Sequence, residues 1–328
     1  QYEIDVPLYK LIELVGEKQA VTCYQACATS ITELDTIAKS IKSKAGFKNK
    51  KSLYFASSAK DLSWLKKEFE ARKKAGFFVK WLNPETISNR YGIHNTHGGI
   101  ISNLGASVDA FFLAHELMHY NCEKGLQIFD KTNITKVEYS SRSIKAETDK
   151  GYQIKAKKII YCNGFESTEI IKESFVKLLS TYAIVSEQIP KSDIQKINKL
   201  LVWNTSDPYL YLRTTNDNRV LIGGEDEEFL DPEKRDKLIH KKTKKLEKEI
   251  TKILPDIPFI TDFSWAGTFG STKDGLPYIG EHPDFPSSYF VLGFGGNGIT
   301  FSVIGMQMVN SFLNRKKHHL SPYFRFGR

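Results

Sequence analysis

The chain has 328 residues, which is enough for about two domains. Hydrophobic residues make up 41% of it, charged residues 26% and aromatic residues 12%, and this composition excludes a disordered or collagen-like protein. The 47 Lys and Arg against 38 Asp and Glu give a net charge of +9, which we interpret as a basic surface rather than a nucleic-acid site, because no aromatic residues alternate with the basic ones.

Location in the cell is predicted from what the sequence contains. No apolar run approaches the ~18 residues of a membrane-spanning helix, so we expect no integral membrane segment. The four cysteines are too few for a disulfide framework in a chain of this length and fit a reducing compartment. We find no secretory signal pattern and expect a cytoplasmic protein.

Helical and strand patterns alternate along the first half of the chain. Apolar residues at steps of three and four predict helix across residues 4–45. We predict that Asn83 caps a short helix and that a hairpin-like pair of strands runs from Ile134 to Ile154. The other predicted elements are helices over Ser58–Ala75 and Val108–Lys124, and strands over Leu53–Ala56, Phe77–Leu82 and Leu126–Phe129.

The second half is rich in strand patterns. The continuous apolar run Ile159–Cys162 predicts a strand buried on both faces, and it leads directly into Asn163-Gly164. Residues 182–224 are predicted to be mostly strands, and residues 232–254 a long basic helix with a solvated face. The tail, residues 314–328, is predicted to be loosely organised.

A cluster of glycines distinguishes residues 265–305, which hold 9 of the 22 glycines. A predicted strand, Tyr289–Leu292, runs into Gly293-Phe294-Gly295-Gly296-Asn297-Gly298, and a predicted helix, Ile299–Leu313, follows. A glycine turn before a helix exposes backbone N–H groups, which can hold a phosphate or the polar edge of a ring.

A second chemical signal is the HExxH pattern of His115, Glu116 and His119 on a predicted helix. The two histidines share one helix face and the glutamate could act as a base, as in zinc peptidases. Zinc catalysis needs a third protein ligand. Phe129 stands where an extended pattern would have histidine, and Glu138 or Glu147 would have to serve instead. Two ordinary helix histidines are the alternative.

Three segments near the C-terminus resemble the flavoprotein family of D-amino acid oxidase, which includes glycine oxidase, sarcosine oxidase and D-amino acid dehydrogenases. The segments are Trp265-Ala266-Gly267, Thr272-Lys273-Asp274-Gly275-Leu276-Pro277-Tyr278-Ile279-Gly280 and the glycine turn at 293–298. Their order and spacing match, and further similarity extends from about residue 50 onward.

The resemblance implies an α/β fold in which a Rossmann-like FAD-binding domain is interleaved with a mostly antiparallel substrate domain. It assigns residues 1–48, 99–175 and 265–328 to the first domain and residues 49–98 and 176–264 to the second. It also implies that His115 and His119 have no metal role, because the family's helix carries apolar residues at neighbouring positions.

The resemblance further implies a set of site residues. Tyr209, Tyr211, Arg213 and Lys273 are the candidates on the substrate side. The cofactor FAD would be held by Ile134, Cys162, Asn163, Gly164, Ile279, Gly295, Gly296, Asn297, Gly298, Ile299 and Thr300.

The sequence departs from the family in two places. The GxGxxG unit that binds the FAD pyrophosphate is absent, so we expect either that it precedes this segment or that FAD binding is weakened. Phe269 stands where the glycine-oxidase-like branch has an arginine for the substrate carboxylate. Either Arg213 or Lys273 replaces that cation, or the substrate is less acidic and more apolar. Simple packing is the alternative role for Phe269.

The resulting hypothesis is an FAD-dependent oxidoreductase that oxidises the C–H bond beside the nitrogen of a small amine or amino-acid-like substrate. A zinc metallopeptidase built on His115, Glu116 and His119 and an inactive flavoprotein-like binding fold are the alternatives.

Overall fold

A computed structural model describes the whole chain, residues 1–328. The helices are α1 (Leu8–Val15), α2 (Glu17–Ser40), α3 (Leu62–Lys74), α4 (Pro84–Tyr91), α5 (Ala110–Cys122), α6 (Ser167–Ile170), α7 (Lys191–Ile194), α8 (Pro232–Lys237), α9 (Ile239–Ile253), α10 (Gly298–Leu313) and α11 (Ser321–Phe324). None of these helices combines the length and the apolar character needed to cross a lipid bilayer.

The strands form four sheets. They are β1 (Lys48–Asn49), β2 (Lys51–Phe55), β3 (Val79–Leu82), β4 (Gly99–Ser102), β5 (Ala106–Ser107), β6 (Ile134–Tyr139), β7 (Ile144–Thr148), β8 (Gln153–Ala156), β9 (Ile159–Tyr161), β10 (Lys177–Ser186), β11 (Leu200–Asn204), β12 (Tyr211–Thr214), β13 (Val220–Glu227), β14 (Thr261–Ser271), β15 (Tyr278–Gly280) and β16 (Ser288–Leu292).

The large sheet has eight strands in the order β14-β10-β13-β12-β11-β2-β4-β3. All its pairs are antiparallel except β11 with β2. Successive side chains of a strand point to opposite faces, so each strand contributes to two environments. On one face Val202, Leu212 and Ile222 pack with Leu246 and Ile250 of α9 in the largest apolar core. The other face borders the clefts described below.

The small sheet has the order β15-β16-β9, with β16 and β9 parallel. Strand β16 leads through Gly293–Asn297 into α10, as the sequence predicts. The prediction that Ile159–Cys162 is buried on both faces is wrong: Ile159, Ile160 and Tyr161 are only partly buried and Cys162 is exposed. The physical reason is that β9 pairs with β16 alone and forms an edge of its sheet.

Several predicted elements need correction. Residues 126–129 form no strand, and Phe129 is 73% exposed, because no neighbouring strand pairs with this segment. The helix predicted over 4–45 is broken at Gly16, whose φ of +88° cannot continue a helix. The helix predicted over 232–254 is divided at Leu238 into α8 and α9.

The C-terminal tail is also better organised than predicted. Leu320, Phe324 and Phe326 are buried, and the Arg328 guanidinium holds the Asp274 carboxylate at 2.9 Å. Three apolar residues in this short tail are therefore packing residues, which the basic composition of the tail concealed. The mixed α/β architecture itself, a mostly antiparallel sheet beside a small sheet with a parallel pair, is the predicted fold class.

Candidate active site

Two clefts meet beside the N-terminus of α10. The larger, of about 600 Å³, lies between α2, α10 and residues 106–110. The smaller, of about 360 Å³, lies on the large sheet. Both are within the range of ligand pockets in proteins, about 300–1,000 Å³. They share Gln1, Leu201, Arg213 and Gly296 in their linings, so the two clefts adjoin.

The glycine turn before α10 already holds an acceptor. The Gly296 N–H donates to a carboxylate oxygen of Asp5 at 2.8 Å. Gly295 has a φ of +69°, and a Cβ built on it would lie 2.2 Å from that same oxygen. Burial raises the pKa of Asp5, while the Gly296 N–H and the Tyr209 hydroxyl oppose the rise. The turn is therefore a cradle for an oxygen acceptor at a positive helix end.

The walls of the smaller cleft come from neighbouring strands of the large sheet. Tyr211 and Arg213 of β12 line it, and the Leu212 side chain between them is buried in the largest apolar core. Tyr211 lies against Gly223 of β13, where a Cβ would come within 2.3 Å of its hydroxyl oxygen. Phe269 of β14 lines the same cleft. Glycine is thus required at residue 223 so that the Tyr211 ring can lie across β13.

Arg213 has no acidic partner. Its one hydrogen bond is from Nη1 to the Thr214 carbonyl oxygen at 3.3 Å, and it forms no ion pair. Burial lowers the pKa of its guanidinium, and Tyr211 and Asp109 oppose this. The Asp109 carboxylate is itself engaged, since it caps α5 by accepting from the Phe112 N–H at 2.9 Å. A partly buried guanidinium without a partner is suited to bind an anionic group of a ligand.

Asp226 is the cleft residue that the sequence reasoning missed. It is partly buried, its Oδ1 atom has no hydrogen-bond partner, and it lines the smaller cleft with Arg213. Burial raises the pKa of Asp226 to about 6, and the Thr181 hydroxyl opposes this. Its position between two other acids, Glu225 and Glu227, hides it in the sequence among surface charges.

The structure brings together most of the predicted site residues. Tyr209, Tyr211, Arg213, Phe269, Gly295 and Gly296 line the smaller cleft, and Gly296, Asn297, Ile299 and Thr300 line the larger one. Gly298 begins α10 directly beneath them.

The other predicted residues lie outside both clefts. Lys273 is on another part of the surface, where its ammonium donates to the Arg328 carbonyl oxygen at 2.6 Å. Ile279 is fully buried in the core against α10. Ile134 is in β6, and Cys162, Asn163 and Gly164 follow β9. Asn163 Oδ1 is buried without a partner, and Gly164 has a φ of +56°.

The HExxH residues have other partners. The Glu116 carboxylate accepts hydrogen bonds from the Ser43 hydroxyl and, at 2.8 Å, from the Lys44 N–H. His115 packs on the Phe111 ring, with ring centroids 4.4 Å apart. Across residues 1–328 no three His, Cys, Asp or Glu side chains are grouped to hold a metal ion. The glutamate thus ties α5 to the end of α2, and the zinc alternative is not favoured.

The chain is similar to known proteins both in sequence and in structure. The family model described as "FAD dependent oxidoreductase" matches residues 13–310. Glycine oxidase of Geobacillus kaustophilus is 32% identical over 138 residues, 41% of this chain and 29% of that protein. Glycine oxidase of Bacillus subtilis is 23% identical over 255 residues, 73% of this chain and 63% of that protein.

The chain thus spans less than two thirds of the length of the curated relatives that it matches. The crystal structure of glycine oxidase from Geobacillus kaustophilus superimposes with a TM-score of 0.79 at 20% identity, over 93% of this chain and 83% of that one. This likeness confirms the predicted fold class.

Proposed function

The chain belongs to the family of FAD-dependent oxidoreductases, and from that premise we propose that it oxidises the C–H bond beside the nitrogen of a small amine or amino-acid-like substrate. The meeting of the two clefts at Gly296 carries the proposal. A ring edge held at the glycine turn in place of the Asp5 carboxylate would face a second, substrate-sized cleft lined by aromatic residues and the Arg213 guanidinium.

The residues of the chain fit FAD. The Gly295-Gly296 turn has the donor chemistry for an oxygen at a ring edge, as the bound Asp5 carboxylate demonstrates. Asn163 offers an unpartnered buried oxygen beside Gly164. The residues that would hold the cofactor are Gly295, Gly296, Asn297, Gly298, Ile299 and Thr300, with Ile134, Cys162, Asn163, Gly164 and Ile279 assigned by family resemblance.

FAD would supply hydride acceptance, and the chain would supply binding and electrostatics. The N–H groups of the turn and the positive end of α10 favour negative charge at the bound ring edge. Tyr209 and Tyr211 would confine the substrate, and Phe269 would keep water from its apolar side. Arg213 would hold a carboxylate, the role for which Lys273 is placed too far away.

The four cysteines are all unpaired, which supports the proposed cytoplasmic location. An inactive fold that only binds flavin is the contrasting function, and turnover of a substrate distinguishes the two.

The test is flavin retention followed by flavin bleaching. The full-length protein is incubated with FAD, passed through gel filtration and examined by visible absorbance. Small amines and amino acids are then added without oxygen. We expect retained flavin that at least one amino-acid-like compound bleaches. Retained flavin that none of them bleaches would instead indicate the binding-only fold.

Two glycine variants test whether the flavin binds at the glycine turn. Gly295→Ala puts a Cβ into the acceptor position at φ +69° and should abolish flavin retention. Gly151→Ala is the matched control, because Gly151 also has a positive φ, of +80°, but nothing lies within 4 Å of its Cβ position. Equal flavin retention in the two variants would exclude the turn as the flavin site.

A further inference from the structure

We infer that Asp226 and Arg213 form a two-pole site for a zwitterion, in which Asp226 receives the amine of the substrate and Arg213 receives its carboxylate. This rests on the proposed function and deepens it, because it assigns the amine of an amino-acid substrate to a named side chain of the cleft. Asp226 thereby becomes a specificity-determining residue.

Opposite charges without partners share one small cleft. Arg213 forms no ion pair, and Asp226 forms none either. Buried charges are normally paired within the protein, because removing an ion from water is costly. Two unpaired charges of opposite sign in one cleft of about 360 Å³ are complementary to a ligand that is itself a zwitterion.

The fold separates Asp226 from its acidic neighbours. Glu225 and Glu227 lie on the α9 side of β13, where Lys242 holds their carboxylates at 3.1 and 2.7 Å. Asp226 lies between them in sequence but lines the cleft instead. Lys242 neutralises two acids of this segment and leaves the third free for a ligand.

A bulge in β13 turns the carboxylate toward the cleft. Between Gly224 and Glu227 the strand has one more residue than its partner β10 has between Ser180 and Tyr182. Glu225, in the bulge, has a φ of +58°. Bulges re-aim side chains and are common beside active sites. The bulge therefore serves to aim the Asp226 carboxylate into the cleft, a role that strand pairing alone does not explain.

The surroundings make the two charges selective. Trp203, Tyr211 and Phe269 line the cleft, and the buried Trp203 Nε1 has no acceptor. A compound lacking the amine or the carboxylate would leave one buried charge unpaired, which is costly enough to reject it.

The charge state of Asp226 suits this role. The groups acting on it are Thr181, Asp5, Lys242 and Glu225, and Arg213 and Asp5 line the same cleft. With burial dominant, the pKa of Asp226 rises to about 6, so its carboxylate is ionised at neutral pH. It can then accept a hydrogen bond from a substrate ammonium.

Three probes that cannot be oxidised test the inference. 2-Aminoisobutyrate carries both groups, pivalate only the carboxylate and tert-butylamine only the amine, and none has a hydrogen on the carbon beside the nitrogen or carboxylate. Binding to the FAD-loaded full-length protein is measured by calorimetry. We expect 2-aminoisobutyrate to bind at least ~10-fold more tightly than either of the others.

The variants separate the two poles. Asp226→Asn should weaken 2-aminoisobutyrate and tert-butylamine at least ~10-fold and leave pivalate unchanged; Arg213→Gln should weaken 2-aminoisobutyrate and pivalate and leave tert-butylamine unchanged. Glu228→Gln is the control, since Glu228 is exposed and paired with Lys177 at the surface. Thermal unfolding of each variant verifies that it is folded.

A pH series provides an independent measurement on the unmodified chain. The affinity for tert-butylamine should fall about tenfold from about pH 7 to about pH 5, as Asp226 takes up a proton through its pKa of about 6. Equal losses for all three probes in Asp226→Asn, or no loss for any, would overturn the inference. Since no probe is turned over, this result is independent of whether amine oxidation is detected.

Discussion

Folding gives Arg72 two carboxylate partners and leaves Arg213 with none. Arg72 on α3 is completely buried, and carboxylate oxygens of Glu3 and Glu68 lie 3.0 and 2.6 Å from its guanidinium nitrogens. Arg213 on β12 is partly buried and has no carboxylate partner. The first cation connects the N-terminal segment to α3, and the second is left available at a cleft.

The difference teaches how a structural charge can be distinguished from a functional one. A cation whose partners come from within the chain has been neutralised by folding, so removing it harms the fold. A cation that folding leaves unpaired destabilises the folded state or leaves its stability unchanged, so its presence requires another reason. Asp226 belongs with Arg213 in this second class, whereas Lys242 with Glu225 and Glu227 belongs in the first.

The largest expected effect is at Arg72. Arg72→Met leaves the carboxylates of Glu3 and Glu68 buried without their cation, so the free energy of unfolding should fall by about 3–5 kcal/mol. Urea denaturation followed by circular dichroism measures it. Arg90→Met is the control, because Arg90 is exposed on α4. A loss below about 1 kcal/mol, similar to that of a surface substitution, would mean that the Arg72 ion pairs do not hold the fold together.

A smaller change in the free energy of unfolding, and of opposite sign, is expected for Asp226→Asn. Burial raises the pKa of Asp226 from 3.8 to about 6, so the folded protein binds this proton more tightly than the unfolded chain does. The stability cost of the ionised carboxylate is therefore absent below about pH 4, grows as the pH rises, and is complete above about pH 6. Asp226→Asn should raise the free energy of unfolding by about 1–3 kcal/mol at pH 8.

Denaturation at two pH values checks the sign. The stabilisation by Asp226→Asn should be present at pH 8 and vanish at pH 4, whereas Glu228→Gln should change little at either pH because Glu228 is exposed. A variant less stable than the parent at pH 8 would mean that Asp226 is paired within the chain and is not kept for a ligand.

This contrast also explains what the sequence could and could not predict. The glycine turn at 293–298 and Asn83, whose side chain accepts from the Thr86 N–H at 2.8 Å, depend on local chemistry and were predicted. Asp226 was missed because its role depends on a bulge and on Lys242, some 16 residues away in sequence. The partial exposure of β9 was missed because strand neighbours, which decide burial, are not encoded locally.

The smallest expected effect on stability is at Arg213, and it tests the contrast with Arg72 most directly. Arg213→Gln removes a cation that holds no carboxylate, so the free energy of unfolding should change by no more than about 0.5 kcal/mol. Asp109, the acid that acts on it from a distance, keeps its hydrogen bond with the Phe112 N–H in the variant. The same urea series used for Arg72→Met measures both variants side by side.

If Arg213→Gln lowered the free energy of unfolding as much as Arg72→Met, Arg213 would be part of the packing of the sheet, and a carboxylate-binding role would lose its physical basis. If it is neutral, then the fold has no need of this buried charge, and the cleft is left as the reason for its presence.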